Sequence, residues 1–257
     1  MTQAAPVHEV GGVTRRIAMW SGPRNISTAM MRSFSSRPDC FVSDEPYYGA
    51  YLQTTGADHP MAGAVIAAMD CDWASVTATL RGDPPDGSPL WYQKHMSHHM
   101  VGPAAPDDLT DVTHAFLIRN PAQMAASYAR MREEVTPDDL GSARQRGFFD
   151  RECQRLGAVP PVIDAADGLA DPAGVLRALC DALEIGWTDA MLRWPAGRHR
   201  EDGAWAPHWY SRVNESTGFE PPGDPDPPQL DDRLKAIAEA CADDYHHLAR
   251  HRLRSRP

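Results

Sequence analysis

Two segments of this chain place arginine and hydroxyl side chains where a helix is predicted to begin. Residues 21–28 read SGPRNIST, a tight Gly-Pro turn followed by hydrogen-bond donors. Residues 119–127 read RNPAQMAAS, with a serine eight residues after the arginine. The free N–H groups and the dipole of a helix N-terminus favour bound anions, and arginine adds charge-assisted hydrogen bonds. Each segment therefore predicts a site for one phosphate or sulfate group.

Short apolar runs precede both segments and are interpreted as the β-strands that position them. Strands are predicted at residues 17–20, 41–42, 90–93, 114–118 and 159–164, and helices at 25–34, 121–134, 138–156, 172–183 and 230–250. Residues 47–80 are predicted to be mainly helical, with breaks near Gly56 and at residues 59–60. This alternation predicts the α/β class, with one parallel β-sheet flanked by helices on both faces. Ligands of such sheets bind beyond the carboxyl ends of the strands, where both segments lie. We expect a single domain over residues 15–257, preceded by a flexible N-terminal tail over residues 1–14.

The chain as a whole is acidic, but the two segments are not. It carries 25 basic and 35 acidic residues, a formal net charge of −10. This balance argues against binding of nucleic acid or of an anionic membrane surface. Residues 11–38, however, contain five arginines and no acid, and residues 112–132 contain three arginines and no acid. A small anionic ligand therefore remains compatible with the sequence.

The cysteine and hydropathy patterns predict a cytoplasmic protein. The five cysteines are scattered and include no CxxC pair, so neither a disulfide framework nor a zinc knuckle is expected. No apolar run approaches about 18 residues, so no transmembrane segment is expected. The N-terminal residues lack the pattern of a signal peptide.

Together the two segments resemble the cofactor-binding signatures of sulfotransferases that use 3′-phosphoadenosine 5′-phosphosulfate (PAPS). Residues 23–28, PRNIST, are similar to the P-[KR]-S-G-[TS]-[TS] loop that binds the 5′-phosphosulfate in that family. Arg119 and Ser127 match its R-N-P…S element, which binds the 3′-phosphate, at the same spacing. The resemblance extends over roughly residues 15–165 and implies a P-loop-like sulfotransferase architecture. It also implies PAPS as the donor, adenosine 3′,5′-bisphosphate as the product and no metal.

The resemblance assigns cofactor-binding roles to particular residues. The 5′-phosphosulfate is expected at the first loop, on Arg24, Asn25, Ile26, Ser27 and Thr28. The 3′-phosphate is expected at Arg119 and Ser127. The family's C-terminal signature is loosely matched by residues 198–205, where Arg198 or Arg200 is expected to reach the same phosphate. The first loop departs from the family at residues 25 and 26, which read Asn-Ile in place of Ser-Gly.

Sulfuryl transfer needs a group that stabilises the leaving phosphate and a base that takes the acceptor proton. Arg24 and Lys94 are the candidates for the first role, and Lys94 is one of two lysines in a chain with 23 arginines. Glu45, at the end of the second predicted strand, is one candidate base, because a similarly placed glutamate is the base in several sulfotransferases. His95 is the other. Cytosolic animal sulfotransferases have a K-x-H element, which this chain resembles with His95 one position early and Met96 in place of the histidine.

Three functional hypotheses are compatible with these residues. The first is a PAPS-dependent sulfotransferase that acts on a hydroxyl or amine of a small-molecule acceptor. The second is a P-loop-type nucleotide kinase or hydrolase, which Ile26 argues against because it stands where the GxxxxGK[ST] motif has its lysine. The third is a non-catalytic nucleotide-binding module of the same fold. No nucleic-acid or membrane partner is expected, and the sequence leaves the oligomeric state open.

Overall fold

Five parallel strands form one sheet in the computed structural model, which describes residues 14–132, 134–221 and 228–255. They are β1 (Arg15–Ser21), β2 (Cys40–Asp44), β3 (Leu90–Met96), β4 (Thr113–Ile118) and β5 (Val162–Asp164), in the spatial order β2-β3-β1-β4-β5. Every pairing is parallel, which confirms the predicted α/β class. The tail predicted over residues 1–14 lies, except for Thr14, outside the described residues, and the domain limits stay a prediction.

Helices fill most of the connections between strands. They are α1 (Ser27–Ser35), α2 (Tyr48–Thr55), α3 (Ala62–Ala68), α4 (Trp73–Arg81), α5 (Pro121–Ala129), α6 (Pro137–Leu140), α7 (Ser142–Leu156), α8 (Ala165–Ala170), α9 (Pro172–Ala182), α10 (Ala206–Trp209), α11 (Ser211–Glu215) and α12 (Asp232–Ala249), with short 3₁₀ helices at Ser97–His99, Pro106–Leu109 and Asp189–Leu192. The helical region predicted over residues 47–80, with breaks near Gly56 and at residues 59–60, contains three helices, and α2 ends at Gly56 in a left-handed conformation (φ 63°). The helix predicted over 138–156 likewise divides at Gly141 (φ 71°). In the described ranges, no helix has the length and apolar content needed to cross a membrane.

Helices pack on both faces of the sheet, as predicted. On one face Tyr92 of β3 stacks on Phe34 of α1, with 4.2 Å between ring centroids. On the other face Trp20 of β1 contacts Phe148 of α7 at 5.1 Å. All four side chains are buried, so the sheet lies at the centre of the hydrophobic core. Alternate residues of each strand therefore contact different helices.

The chain leaves β1 and β4 in opposite directions across the sheet. β1 leads through α1 to β2, whereas β4 leads through α5, α6 and α7 to β5 at the other edge. The two strands are paired neighbours, with Ser21 opposite Leu117. A crevice forms beyond the carboxyl ends of two such strands, and α/β proteins bind their ligands there. Both predicted anion-binding segments begin at this crevice.

Gly22 allows the first loop to pack directly against its neighbours. A Cβ atom at this position would lie 2.5 Å from the carbonyl oxygen of Leu140 and 2.5 Å from Cε of Met124. A side chain at this position would push the first loop away from Leu140 and Met124, so this close approach requires glycine.

A buried ion pair attaches residues 202–214 to α1. The guanidinium of Arg32 is fully buried and pairs with the carboxylate of Asp202, with 2.8 Å between Nη2 and Oδ2. Arg32 also donates to Oδ1 of Asn214 at 3.3 Å. Because a buried charge without a partner is costly, this pair holds the segment in one position.

Candidate functional site

The first loop presents backbone N–H groups at the start of α1. Asn25 attaches the loop to β4, because its Nδ2 donates to the Leu117 carbonyl (2.9 Å) and its Oδ1 accepts from the Ile26 N–H (2.9 Å). Ile26 occupies the N-cap position and supplies no side-chain hydrogen bond to the helix, so it does not cap the first-turn N–H groups. Arg24 has a φ of 53°, a strained conformation of the kind found at ligand-binding sites. The loop is therefore suited to bind an anion.

The second segment meets the first loop at the crevice. Asn120 caps α5 with its side chain, and Pro121 occupies the first helical position. Nη1 of Arg119 donates to the carbonyl oxygen of Arg24 at 2.7 Å. Nε of Arg24 in turn donates to Oγ of Ser127 at 3.2 Å. Three residues singled out from the sequence are thus in direct contact.

Four arginines gather beside this contact: Arg24, Arg119, Arg130 and Arg212. Burial lowers the pKa of Arg24 and of Arg119, and the charges of the neighbouring arginines lower both further. Arg212 is paired with Glu220 at 2.9 Å. Like charges repel one another, and a bound anion would offset the repulsion between these arginines. Such a cluster therefore indicates an anion site. Sequence reasoning missed Arg130 and Arg212, because nothing local shows which distant arginines will meet.

The space around these arginines is called the cationic compartment. It combines the arginines with loop residues and aromatic rings, and its lining includes Arg24, Asn25, Ile26, Thr28, Arg119, Ser127, Arg130, Trp209, Tyr210, Arg212 and Phe219. The donors of hydrogen bonds lie at the loop end, and aromatic side chains come from α10 and the segment after α11. A ligand with both an anionic and an aromatic part fits this arrangement.

Arg198 and Arg200 lie outside the cationic compartment, which corrects their expected position. Both are exposed. Asp202, two residues after Arg200, pairs with the buried Arg32 of α1. The two arginines that sequence reasoning missed occupy the compartment instead.

A second space, called the carboxylate compartment, adjoins the first and centres on a buried lysine. The ammonium of Lys94 lies 2.6 Å from Oε1 of Glu45 and 2.8 Å from Oδ1 of Asp44. It also donates to the hydroxyl of Tyr210 at 2.7 Å. An ammonium has three N–H donors, so these three partners engage all of them. Asp44 and Tyr210 are further site residues that the sequence did not reveal.

The charges of this network shift the proton affinities of its members. Burial raises the pKa of Glu45, and the Lys94 ammonium opposes this only in part. Burial alone would lower the pKa of Lys94, but the carboxylates of Asp44 and Glu45 outweigh it and hold the pKa well above its ordinary value. Glu45 is thus a carboxylate of increased basicity beside a permanent cation, as a general base requires.

Histidine and aromatic rings form the walls of the carboxylate compartment. Its lining includes Ser27, Glu45, Tyr48, His59, Lys94, Met96, His98, His99, Tyr128 and Trp205. Five further residues line both compartments: Arg24, Asn25, Thr28, Trp209 and Tyr210. The two compartments therefore adjoin along a shared wall that includes Arg24.

His95 does not reach the carboxylate compartment, which corrects the expectation that it could act there. Its ring stacks on Trp20 at 4.4 Å within the core, and burial lowers its pKa to about 3. Successive residues of a strand point to opposite faces, so Lys94 and Met96 line the compartment while His95 points behind the sheet. Of the candidate bases, Glu45 and His98 line the compartment, but burial lowers the pKa of His98 to about 3, so Glu45 is the stronger base.

Ile26 stands where the GxxxxGK[ST] motif of P-loop proteins has its lysine, so this position carries no charge. Ile26 packs against the hydrophobic core while lining the cationic compartment. Among the residues that the structure describes, no group of three or more histidine, cysteine, aspartate or glutamate side chains is arranged to hold a metal ion. That the reaction needs no metal stays a prediction.

Comparison with known proteins yields a family, curated relatives and structural neighbours. The family described as "Sulfotransferase domain" matches residues 15–244. Two Arabidopsis thaliana proteins, named Branched-chain-amino-acid aminotransferase-like protein 1 and 2, are 39% and 37% identical to 80% of this chain, and the chain spans only 37% and 36% of their length. The solved sulfotransferase domain of the Synechococcus PCC 7002 olefin synthase has a TM-score of 0.51 at 18% identity, covering 94% of this chain and 98% of that domain. This last likeness shows a shared fold.

Proposed function

The chain belongs to the sulfotransferase domain family, and we propose that it transfers the sulfuryl group of PAPS to a hydroxyl or amine of a small molecule. The observation that carries the proposal is the contact of Arg24 with both Arg119 and Ser127. Through Arg24, this anion-binding surface adjoins the compartment that contains Glu45. Transfer of an anionic group to a nucleophile requires such a juxtaposition.

The cationic compartment fits a donor with two anionic groups and an aromatic base. The N–H groups at the start of α1, with Arg24, Ser27 and Thr28, would hold the 5′-phosphosulfate. The 3′-phosphate would contact the donors near the second segment: Arg119, Ser127, Arg130 and Arg212. The adenine ring would lie near Trp209 and Phe219, the aromatic rings of this compartment.

Glu45 takes the proton of the acceptor in the proposed reaction, while the acceptor atom forms a bond to sulfur. The bond between sulfur and the bridging oxygen of the 5′-phosphate breaks, and its electron pair remains on that oxygen. Arg24 and the loop N–H groups stabilise the charge that grows there. PAPS supplies the sulfuryl group and the leaving group, and the protein supplies position, charge and the base.

Lys94 positions Glu45 in this proposal. Its three N–H groups are engaged by Asp44, Glu45 and Tyr210, so none remains for the leaving oxygen. The sequence suggested Lys94 as a stabiliser of the leaving group, and the proposal gives that role to Arg24 alone. Lys94 instead opposes in part the increase that burial causes in the pKa of Glu45, which favours the ionised carboxylate.

Two measurements test this function. Isothermal titration calorimetry should detect binding of adenosine 3′,5′-bisphosphate and no binding of Mg²⁺-ATP. PAPS labelled with radioactive sulfur should give labelled products with a panel of phenols, alcohols and amines. Binding of the bisphosphate without transfer would indicate a non-catalytic module. Hydrolysis of Mg²⁺-ATP would indicate a P-loop nucleotide hydrolase.

A further inference from the structure

Three side chains form a hydrogen-bonded chain that ends in the wall of the carboxylate compartment. Nη1 of Arg132 lies 2.6 Å from Nε2 of His59. Nδ1 of the same imidazole lies 2.8 Å from the hydroxyl of Tyr48. His59 and Tyr48 are buried, and both line the compartment. The reaction proposed above gives none of the three a role.

The chemistry of these groups determines the direction of both hydrogen bonds. A guanidinium can only donate, so Nε2 of His59 accepts from Arg132. The proton of the neutral imidazole is then on Nδ1, which donates to the oxygen of Tyr48. Burial, followed by the charge of Arg132, lowers the pKa of His59 to about 4, so the ring is neutral at pH 7. The hydroxyl proton of Tyr48 is consequently free for another partner.

Tyr48 is hydrogen-bonded to the backbone of Glu45, and its ring lies in the wall of the carboxylate compartment. Its backbone N–H donates to the carbonyl of Glu45 at 2.9 Å, and its ring stacks on His99 at 4.5 Å. Burial raises the pKa of Tyr48, and the charge of Glu45 is the next largest cause. Within the described ranges, His59 is the only hydrogen-bond partner of the Tyr48 hydroxyl. A free donor and a basic carboxylate therefore border the same space.

We propose that Arg132 and His59 hold the Tyr48 hydroxyl as a hydrogen-bond donor to the acceptor atom whose proton Glu45 removes. Tyr48 contacts the acceptor, and His59 and Arg132 are positioning residues that act through it. The inference rests on the transfer function proposed above. It requires an acceptor atom that gives a hydrogen bond to Glu45 and accepts one from Tyr48.

This double requirement selects a class of acceptor. A hydroxyl oxygen has two lone pairs, so it can accept from Tyr48 and still form the bond to sulfur, whereas the single lone pair of a neutral amine is needed for that bond. Glu45 is the only carboxylate among the described residues that line the compartment, and it is already paired with Lys94. An ammonium group would find no partner of its own there. The acceptor is therefore an alcohol or a phenol.

Removing the free donor tests the role of Tyr48. Tyr48→Phe keeps the ring that stacks on His99 and should lower kcat/KM for alcohol acceptors about tenfold to a hundredfold, on the scale of one lost hydrogen bond. Affinity for adenosine 3′,5′-bisphosphate should not change, because Tyr48 does not line the cationic compartment. Tyr51→Phe is the matched control. It removes a hydroxyl from the same helix at a side chain that lines neither compartment, and kcat/KM should stay at the wild-type value.

Variants of His59 separate positioning from simple packing. Glutamine can accept from Arg132 with its oxygen and donate to Tyr48 with its nitrogen, whereas leucine can do neither. His59→Gln should therefore retain more activity than His59→Leu, and Arg132→Met should lose about as much as His59→Leu. Nitrogen NMR of histidine-labelled protein should show His59 as the neutral Nδ1–H tautomer at pH 7. The loss of this signal in His59→Gln assigns it.

Matched acceptor pairs test the substrate class. Benzyl alcohol is compared with benzylamine, and cyclohexanol with cyclohexylamine, and the alcohols should be at least ~10-fold better by kcat/KM. A preference for the amines, an unchanged kcat/KM in Tyr48→Phe, or a protonated or Nε2–H His59 would each overturn the inference alone. If the protein does not bind adenosine 3′,5′-bisphosphate, or transfers the sulfuryl group to neither alcohols nor amines, the proposed transfer function is wrong. This inference then fails with it.

Discussion

The ammonium of Lys94 lies 2.6 Å from the carboxylate of Glu45, and both side chains are almost completely buried. Charges in such a position are weakly screened by solvent, so they interact strongly. Burial raises the pKa of Glu45, and the charge of Lys94 lowers it in part, which favours the ionised carboxylate. This contact is the basis of the acid–base behaviour expected of the site.

Replacing Glu45 with glutamine should abolish transfer with little effect on donor binding. Glutamine has nearly the same shape, and its amide oxygen can accept from Lys94, but it cannot take a proton. We expect kcat to fall by about 10²–10⁴-fold, the range for loss of a general base. Affinity for adenosine 3′,5′-bisphosphate, measured by calorimetry, should be unchanged because Glu45 does not line the cationic compartment. Near-normal turnover would remove Glu45 as the base.

The pH profile of kcat/KM should show an acidic limb at an unusually high pH. Burial raises the pKa of Glu45 above 4.5, its ordinary value, and only the ionised form can act as a base. Activity should therefore decrease as pH falls through this raised pKa. The pKa of Lys94 is also raised, so loss of its charge adds no basic limb below about pH 10. A limb centred at or below pH 4.5 would contradict the assignment.

Arg119→Ala should weaken binding of adenosine 3′,5′-bisphosphate about tenfold to a hundredfold, on the scale of a lost charge-assisted bond. The variant also removes the donor to the Arg24 carbonyl, which holds the two loops together. Arg119→Lys keeps the charge but not the planar, forked donor, so its loss of affinity should be intermediate. Unchanged affinity of Arg119→Ala by calorimetry would contradict the second anion site.

Substitutions of Arg212 and Arg200 distinguish the anion-binding site seen in the structure from the one expected from the sequence. Arg212→Ala removes a cation from the cationic compartment and should weaken bisphosphate binding about tenfold at low salt. Arg200→Ala removes an exposed arginine outside it and should leave the affinity unchanged. The opposite result in a calorimetric titration of both variants would support the assignment made from the sequence.

The ion pair between Arg32 and Asp202 should contribute strongly to stability. Arg32→Ala leaves a buried carboxylate without its partner, which typically costs about 3–5 kcal/mol in the free energy of unfolding. Arg81→Ala is the control, because its pair with Asp111 is exposed and should be worth less than about 1 kcal/mol. Urea unfolding followed by circular dichroism measures both values. Equal effects of the two substitutions would show that burial does not decide the strength of these pairs.

Much of the fold could be predicted because its signals are local. A short apolar run before residues 21–28 predicts a strand, and the spacing of apolar residues after it predicts a helix. The same holds for the second segment. Since both follow strands of one parallel sheet, their approach to one another could also be predicted, and the contact of Arg24 with Arg119 and Ser127 agrees with it.

Side-chain direction and distant pairing could not be predicted in the same way. Lys94 and His95 are neighbours in the chain, yet the pleat of β3 directs one to the carboxylate compartment and the other to Trp20. A shift of one residue in the register of β3 would exchange the directions of these two side chains. The neighbouring sequence does not determine that register. The same limit applies to the C-terminal arginines, since a buried ion pair more than 160 residues apart in sequence decides where their segment lies.

The sequence by itself determined the α/β class, the order of strands and helices along the chain, and two arginine-bearing loops that resemble those of sulfotransferases. Tertiary structure decided which residues meet: Asp44 with Tyr210, and the chain from Arg132 through His59 to Tyr48. The physical reason is that strands, turns and helix starts depend on neighbouring residues, whereas a buried polar group must find its partner wherever packing brings the chain together.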